Sequence, residues 1–260
     1  CSSPETGTIR YADLMYLPSV EKCRILTGNG SRMPFEPWIW LRFRSRSLLK
    51  ALESPERSTL VRFRPMKQQI VDHFTSSAKT ALASGEMLAE EIGRASRSML
   101  DTLDNGGKLL LCGNGGSATD AMHFSAELLV RFLKERKALP AVALVSDTAT
   151  LTATGNDYAF DQIFSRQLEA LAVPGDHLVV ISTSGNSPNI LNAVKASQAT
   201  GGIKITALTG RDGGALAPML GPQDCELRVP SDSTARIQEA HAIIIHCFCD
   251  LIDQHYCGEH

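Results

Sequence analysis

The stretch that decides the fold is Lys108-Leu109-Leu110-Leu111-Cys112, followed by Gly113-Asn114-Gly115-Gly116-Ser117-Ala118-Thr119-Asp120-Ala121-Met122-His123-Phe124-Ser125-Ala126-Glu127. The apolar run reads as a strand buried on both faces, the kind a parallel sheet uses. The glycines and Asn114 turn the chain at the strand's carboxyl end. From Asp120 the composition is helical, with Ser117 as the expected cap. Open α/β proteins hold anionic groups on such a strand, glycine loop and helix. His123 and Glu127 fall one turn apart on that helix, so they share a face. Imidazole and carboxylate at this spacing can bind one metal ion. The plainer reading of the same two residues is a partly buried histidine beside a surface glutamate.

Downstream, the pattern repeats. The helix from Ser117 is expected to reach Phe132. Ala141–Val145 reads as a second strand, Thr148–Thr154 as a short helix, and Phe160–Leu171 as another. Pro174-Gly175-Asp176 leads into a strand over His177–Ser182. Ser187 suits an N-cap and Pro188 the first position of a helix running to Ala199. Strands follow at Ile203–Thr209 and Cys225–Val229, with a short helix over Ala215–Leu220 between them and a long helix from Thr234 to Tyr256. Strands alternating with helices predict a parallel sheet covered on both faces, a three-layer αβα sandwich with five strands.

Upstream, Ile70, Phe74, Ala78 and Ala81 form one helical stripe. The spacing predicts a helix over Met66–Ser84 and a second over Met87–Leu103, stopped by Asn105-Gly106-Gly107. Residues 1–65 differ: glycine, proline and serine are scattered, and no period is sustained. Trp38-Ile39-Trp40-Leu41-Arg42-Phe43-Arg44-Ser45-Arg46 alternates apolar and basic residues, as an edge strand, a membrane-surface segment or a nucleic-acid arm does. The favoured reading of 1–65 is a poorly ordered extension or one read from an upstream start, with the domain at 66–260. No apolar leader is visible after Cys1, so no secretory signal is expected.

Composition narrows the class. Lys and Arg number 26 against 28 Asp and Glu, a net charge of −2, which offers no global attraction to nucleic acid or anionic membrane. No apolar run approaches the roughly 20 residues of a transmembrane helix. Cys112, Cys247 and Cys249 lie in apolar segments where free thiols are usual, and Cys247-x-Cys249 has neither zinc-ribbon nor redox spacing. A reducing, cytoplasmic compartment is expected.

Two further clusters carry chemistry. Ser182-Thr183-Ser184-Gly185-Asn186-Ser187 crowds hydroxyls between a strand and a helix start. Hydroxyls, free amides and the helix dipole together hold a phosphate without a basic residue. Ordinary turn chemistry uses the same residues. This is not a P-loop, and Gly113–Ser117 lacks the dinucleotide spacing. On the final helix, Gln238 and His246 are eight residues apart and fall within one face. His241, three residues after Gln238, competes with His246 for the same role.

Together, Cys112–Phe132, Asn156-Asp157, Ser182–Ser187 and Thr234–Asp253 make the chain resemble the sugar isomerase (SIS) domain family, specifically its bacterial phosphoheptose isomerases. The resemblance covers nearly all of 66–260. It implies a flavodoxin-like fold, a homotetramer and one zinc ion per subunit on His123, Glu127, Gln238 and His246. It also implies sugar-phosphate contacts at Asn114, Gly115, Gly116, Glu127, Asn156, Asp157, Ser182, Thr183, Ser184, Ser187 and Gln238. The implied reaction converts sedoheptulose 7-phosphate to D-glycero-D-manno-heptose 7-phosphate through an enediol, with Glu127 as base and His246 as acid. That would be the first step of ADP-heptose synthesis for lipopolysaccharide core or related glycans. No nucleic-acid or membrane partner is implied. The competing class is a non-catalytic relative that binds the bacterial replication initiator; its likeness here includes Asp212-Gly213-Gly214 and Gly221-Pro222-Gln223-Asp224. That group lacks the full metal set, whereas this chain keeps all four residues. Another sugar-phosphate aldose–ketose isomerase is the third option.

Overall fold

The computed structural model describes residues 65–258 and, upstream, the backbone of two short strands. Those strands, β1 (Thr8–Arg10) and β2 (Trp38–Trp40), pair antiparallel. The chain divides into two compact units, Cys1–Phe63 and Arg64–His260. The readings offered for 1–65 otherwise lie outside the described residues, as does most of the alternating stretch after Trp40.

The second unit is built on a five-stranded parallel sheet: β3 (Leu109–Gly113), β4 (Ala141–Ala143), β5 (His177–Ile181), β6 (Lys204–Gly210) and β7 (Cys225–Val229). The spatial order is β4-β3-β5-β6-β7, the flavodoxin-like order. Every residue of β3 and β5 is buried, so neither strand shows the alternation of a half-exposed strand.

Successive side chains still part to opposite faces. On one face Leu109, Leu111, Val179, Ile181 and Leu208 pack against three helices: α1 (Met66–Asp104), α2 (Gly116–Leu129) and α6 (Thr234–Cys257). On the other, Leu110, Cys112, Leu178, Val180 and Ala207 meet α4 (Ser165–Leu171) and α5 (Pro188–Thr200). A further helix, α3 (Thr148–Asp157), follows β4. The expected three-layer sandwich is therefore present.

Several boundaries differ from expectation. The two helices expected over Met66–Leu103 are one helix of 39 residues. Ser84 does not end it, because its hydroxyl donates back to Thr80 O at 2.7 Å. Gly85 costs about 1 kcal/mol as an interior helical residue, too little to break a helix whose apolar stripe continues through Leu88, Ile92, Ala95 and Met99. α2 stops at Leu129 rather than Phe132. α3 runs on past the expected end at Thr154 through Gly155, Asn156 and Asp157; the Asp147 carboxylate caps its start by accepting from Thr150 N. Phe160–Gln162 and Ala217–Met219 are single 3₁₀ turns.

The cysteines agree with the reading of free thiols. Cys112 and Cys249 are buried, Cys247 is partly buried, and no disulfide forms among the described residues. Burial pushes the Cys249 thiol up to about 12.

Candidate active site

The strand order reverses between β3 and β5, and in open α/β sheets the ligand crevice lies outside the carboxyl ends at such a point. Two loops flank it here: 113–116 after β3 and 182–187 after β5. Between them lies a cavity of about 290 Å3 lined by Asn114, Gly115, Gly116, Ser182, Thr183, Ser184, Ser187 and Gln238, among others.

The first loop turns tightly after β3, where a Cβ on Gly113 would collide with Ser117 O. Gly115 has φ 56° and, not Ser117, sits at the N-cap of α2. Ser117 is buried inside the helix, its N–H donating to Asn114 O at 3.0 Å. A Cβ on Gly116 would lie 2.5 Å from Gln238 Nε2, so the Gln238 carboxamide rests where it does only because Gly116 has no side chain.

The second loop is rich in oriented hydroxyls. Ser182 Oγ accepts from Gly185 N, and Ser184 Oγ accepts from Asn186 N, each at 3.2 Å. A hydroxyl that accepts from the backbone keeps its own proton for an anion. Ser187 occupies the N-cap of α5 with Pro188 next, as expected, but its side chain makes no capping bond.

A third loop, missed as a site element, supports the second. Leu216 N donates to Gly185 O at 3.0 Å and Ala215 N to Asn186 Oδ1 at 2.9 Å. Gly213 and Gly214 press so closely on Gly185 and Ser184 that a side chain at Gly185 or Gly214 would collide with backbone. Asp212-Gly213-Gly214 thus has a structural task. So does Gly221-Pro222-Gln223-Asp224, in which the Asp224 carboxylate accepts from Gly221 N and Ile205 N. Neither motif requires an initiator-binding role.

Farther along α2 and α6 lies the second station. His123 Nε2 and Glu127 Oε1 are 3.2 Å apart. The His246 ring meets His123 edge-on at 5.1 Å between centroids and stacks on Phe132 at 5.5 Å. The helices are spaced by buried Phe124 and Phe248, stacked at 5.8 Å. Arg136, also absent from the sequence reading, anchors this end. It pairs with Asp253 at 2.8 Å, both side chains almost fully buried, and donates to Glu127 O and Leu128 O. Burial pushes the Asp253 carboxyl up, but bonds from Lys134 N, Arg136 and Leu133 N prevail, and the net direction is down.

The chain does not bring every expected residue together. Gln238 lies against Gly116, whereas His246 is two turns on, about 12 Å along α6. Asn156 and Asp157 bond to each other at 2.7 Å, and Asp157 lines a different cavity with Tyr158 and Arg166. His241 is excluded from the site. It is fully buried, bonds Thr209 O at 2.9 Å, and burial pushes its imidazole down to about 4.

The donor types of His123, Glu127, Gln238 and His246 suit a divalent ion such as zinc. Among the described residues, however, no three His, Cys, Asp or Glu side chains converge as a ligating group. Of His123, Glu127 and His246, His123 alone touches both of the others, Glu127 through Nε2 and His246 ring to ring.

Comparison with known proteins agrees with this geometry. A SIS domain model matches residues 73–210. Phosphoheptose isomerase from Shewanella loihica is 54% identical over 189 residues, 73% of this chain and 95% of the relative. That from Chromohalobacter salexigens is 53% identical over 192 residues, 74% and 97% of the two chains. Among solved structures, phosphoheptose isomerase from Francisella tularensis matches with TM-score 0.71 and 48% identity, covering 74% of this chain and all of that one. The Neisseria gonorrhoeae enzyme matches with TM-score 0.69 and 48% identity, over 73% and all of the respective chains.

The sheet order, the hydroxyl-lined crevice and these matches define a sugar-phosphate isomerase fold, and the chain belongs to the SIS-domain family. Within that family it stands with the bacterial phosphoheptose isomerases, and it is an isomerase.

Proposed function

We propose that the chain interconverts sedoheptulose 7-phosphate and D-glycero-D-manno-heptose 7-phosphate, supplying a heptose phosphate for ADP-heptose and lipopolysaccharide-type glycans in the cytoplasm. The observation that carries this reading is the pairing of two stations on α2 and α6: a hydroxyl-lined cavity fit for phosphate, and a Glu127–His123–His246 cluster fit for proton transfer.

Phosphate binds in the cavity through the Ser182, Ser184 and Ser187 hydroxyls at the start of α5, where the helix dipole favours an anion. Aldose–ketose isomerisation then moves a proton between adjacent carbons and needs a base, an acid and stabilisation of the enediolate oxygen. Glu127 is the base, oriented by the neighbouring His123 imidazole. His246 delivers and recovers the oxygen-bound proton, its ring held by Phe132 and His123. Zinc near His123, Glu127 and His246 would supply Lewis acidity toward the substrate oxygens; Gln238, expected as the fourth ligand, lies against Gly116, two turns along α6 from His246.

The working form is proposed to be a homotetramer. Met66, Phe74 and Leu82 on the amino half of α1 are 78%, 75% and 70% exposed, more apolar surface than a lone chain commonly leaves on one helix. In such an assembly Asn156 and Asp157, which stand apart from the crevice of their own chain, would contribute to the site of another copy.

The test is incubation of the purified protein with sedoheptulose 7-phosphate, followed by NMR of the sugar. The aldose phosphate should appear with wild type and not with Glu127→Gln or His246→Ala of unchanged fold. A wild-type protein that converts no ketose phosphate yet binds a replication initiator would move the chain to the non-catalytic class.

A further inference from the structure

One buried residue at the crevice has a bond that no catalytic or binding role accounts for. Asn189, 2% exposed, lies in the first turn of α5 and faces Asn114 across the switch point. The two carboxamides pair reciprocally. Asn114 Nδ2 donates to Asn189 Oδ1 at 2.9 Å, and Asn189 Nδ2 donates to Asn114 Oδ1 at 2.8 Å. Asn189 Oδ1 also accepts from Ile190 N at 3.0 Å, which fixes which end of the amide faces which way.

The position of this pair matters. The ladder between β3 and β5 ends at Gly113 opposite Ile181. Beyond that register the chains leave the sheet, one into the 113–116 loop and the other into the 182–187 loop. The amide pair links them past the end of the ladder. On one side it grips the residue whose carbonyl closes the first turn of α2; on the other it grips the helix whose start faces the phosphate cavity.

We propose that Asn189 is a positioning residue that sets the spacing of the two ligand loops through Asn114, and thereby the width of the anion cavity. The inference rests on the proposed function for its substrate, but the spacing acts on any tetrahedral oxyanion. Two neutral amides suit this place because each satisfies the other without charge. A carboxylate there would repel both Asn114 Oδ1 and an incoming phosphate.

Asn189→Asp separates positioning from mere space-filling because it preserves size. Protonated, its O–H donates to Asn114 Oδ1 and its other oxygen accepts from Asn114 Nδ2, so the pair is restored. Ionised, it sets oxygen against oxygen. Burial favours the protonated form of such a carboxyl and the Ile190 N–H favours the ionised one, so the comparison is made between about pH 5 and about pH 8. Sulfate keeps its charge over that range and is the probe.

Relative to wild type, Asn189→Asp should bind sulfate on the order of 10-fold more weakly at about pH 8 and nearly as well at about pH 5. Asn189→Ala should be weaker at both and show no recovery. With the sugar phosphate, both variants should raise KM more than they lower kcat. Melting curves at each pH confirm that folded protein is compared, and Asn189→Ala carries the test if the aspartate form does not fold. Wild-type sulfate affinity in Asn189→Ala, or an Asn189→Asp deficit that does not change with pH, would overturn the proposal. Wild type that turns over no sugar phosphate removes the proposed function instead, while the sulfate measurement still decides the role of Asn189.

Discussion

Ser184, Gly116 and His241 show how differently single residues bear on this site. Ser184 spends its lone pair on Asn186 N and keeps its proton for a ligand. Replacing it with alanine should weaken sugar-phosphate binding by about 1–2 kcal/mol, the worth of one hydrogen bond to a charged group, as measured by calorimetry. Gly116→Ala should do more to turnover than to stability, because the new methyl meets the end of a flexible side chain, Gln238, and displaces it. His241→Ala should do the reverse. Its imidazole is buried on Thr209 O far from the chemistry, so melting temperature falls while turnover per folded molecule stays within a few-fold of wild type. The choice between His241 and His246 was open in the sequence, since both follow Gln238 on one helix. Only packing separates them: His241 faces the sheet, and His246 faces α2.

At the scale of elements, the site depends on α2 and α6 lying side by side, and the Arg136–Asp253 pair locks their far end. Removing one partner of a buried pair strands the other's charge, so Arg136→Ala should cost about 3–5 kcal/mol in denaturant unfolding. It should also loosen the last turn of α2, where Glu127 sits. Nothing in the sequence marks this pair, because its members are 117 residues apart and one lies in a segment without periodicity. The strands were legible because β3 and β5 are unbroken apolar runs followed by glycine or serine loops. Helix ends were less so. Ser117 looks like a cap until Gly115 adopts φ 56° and takes the position, a conformation that no residue pattern specifies by itself. The break expected between Ser84 and Met87 is absent, because a core-facing stripe from Leu88 onward carries α1 on as one helix.

For the whole molecule, the exposed apolar surface of α1 predicts association: light scattering at micromolar concentration should give a tetramer, and a monomer would contradict the assembly. A chain beginning at Met66 should fold and assemble as the full chain does. Acid should weaken the fold in a definite window. Burial holds His177 down at about 3, below the ordinary histidine range, so the unfolded chain binds the extra proton first. The stability that neutral His177 contributes is present above about pH 6.5 and is lost as pH falls below it, by roughly 3 kcal/mol near pH 4.5. His177→Gln should therefore lose less melting temperature than wild type between those two pH values. The sheet order and the crevice at its switch point follow from alternating strands and helices. The expected grouping of Asn156 and Asp157 with the crevice residues is not found within the chain, where the two bond each other beside a different cavity.

The central claim is that Glu127 carries a proton between neighbouring carbons of a heptose phosphate. Its most direct test is the reaction in D2O, with the sugar followed by NMR. The account predicts that wild type exchanges deuterium into the carbon beside the carbonyl as ketose and aldose equilibrate, and that folded Glu127→Gln exchanges none. Interconversion and exchange that continue unchanged in folded Glu127→Gln would contradict it.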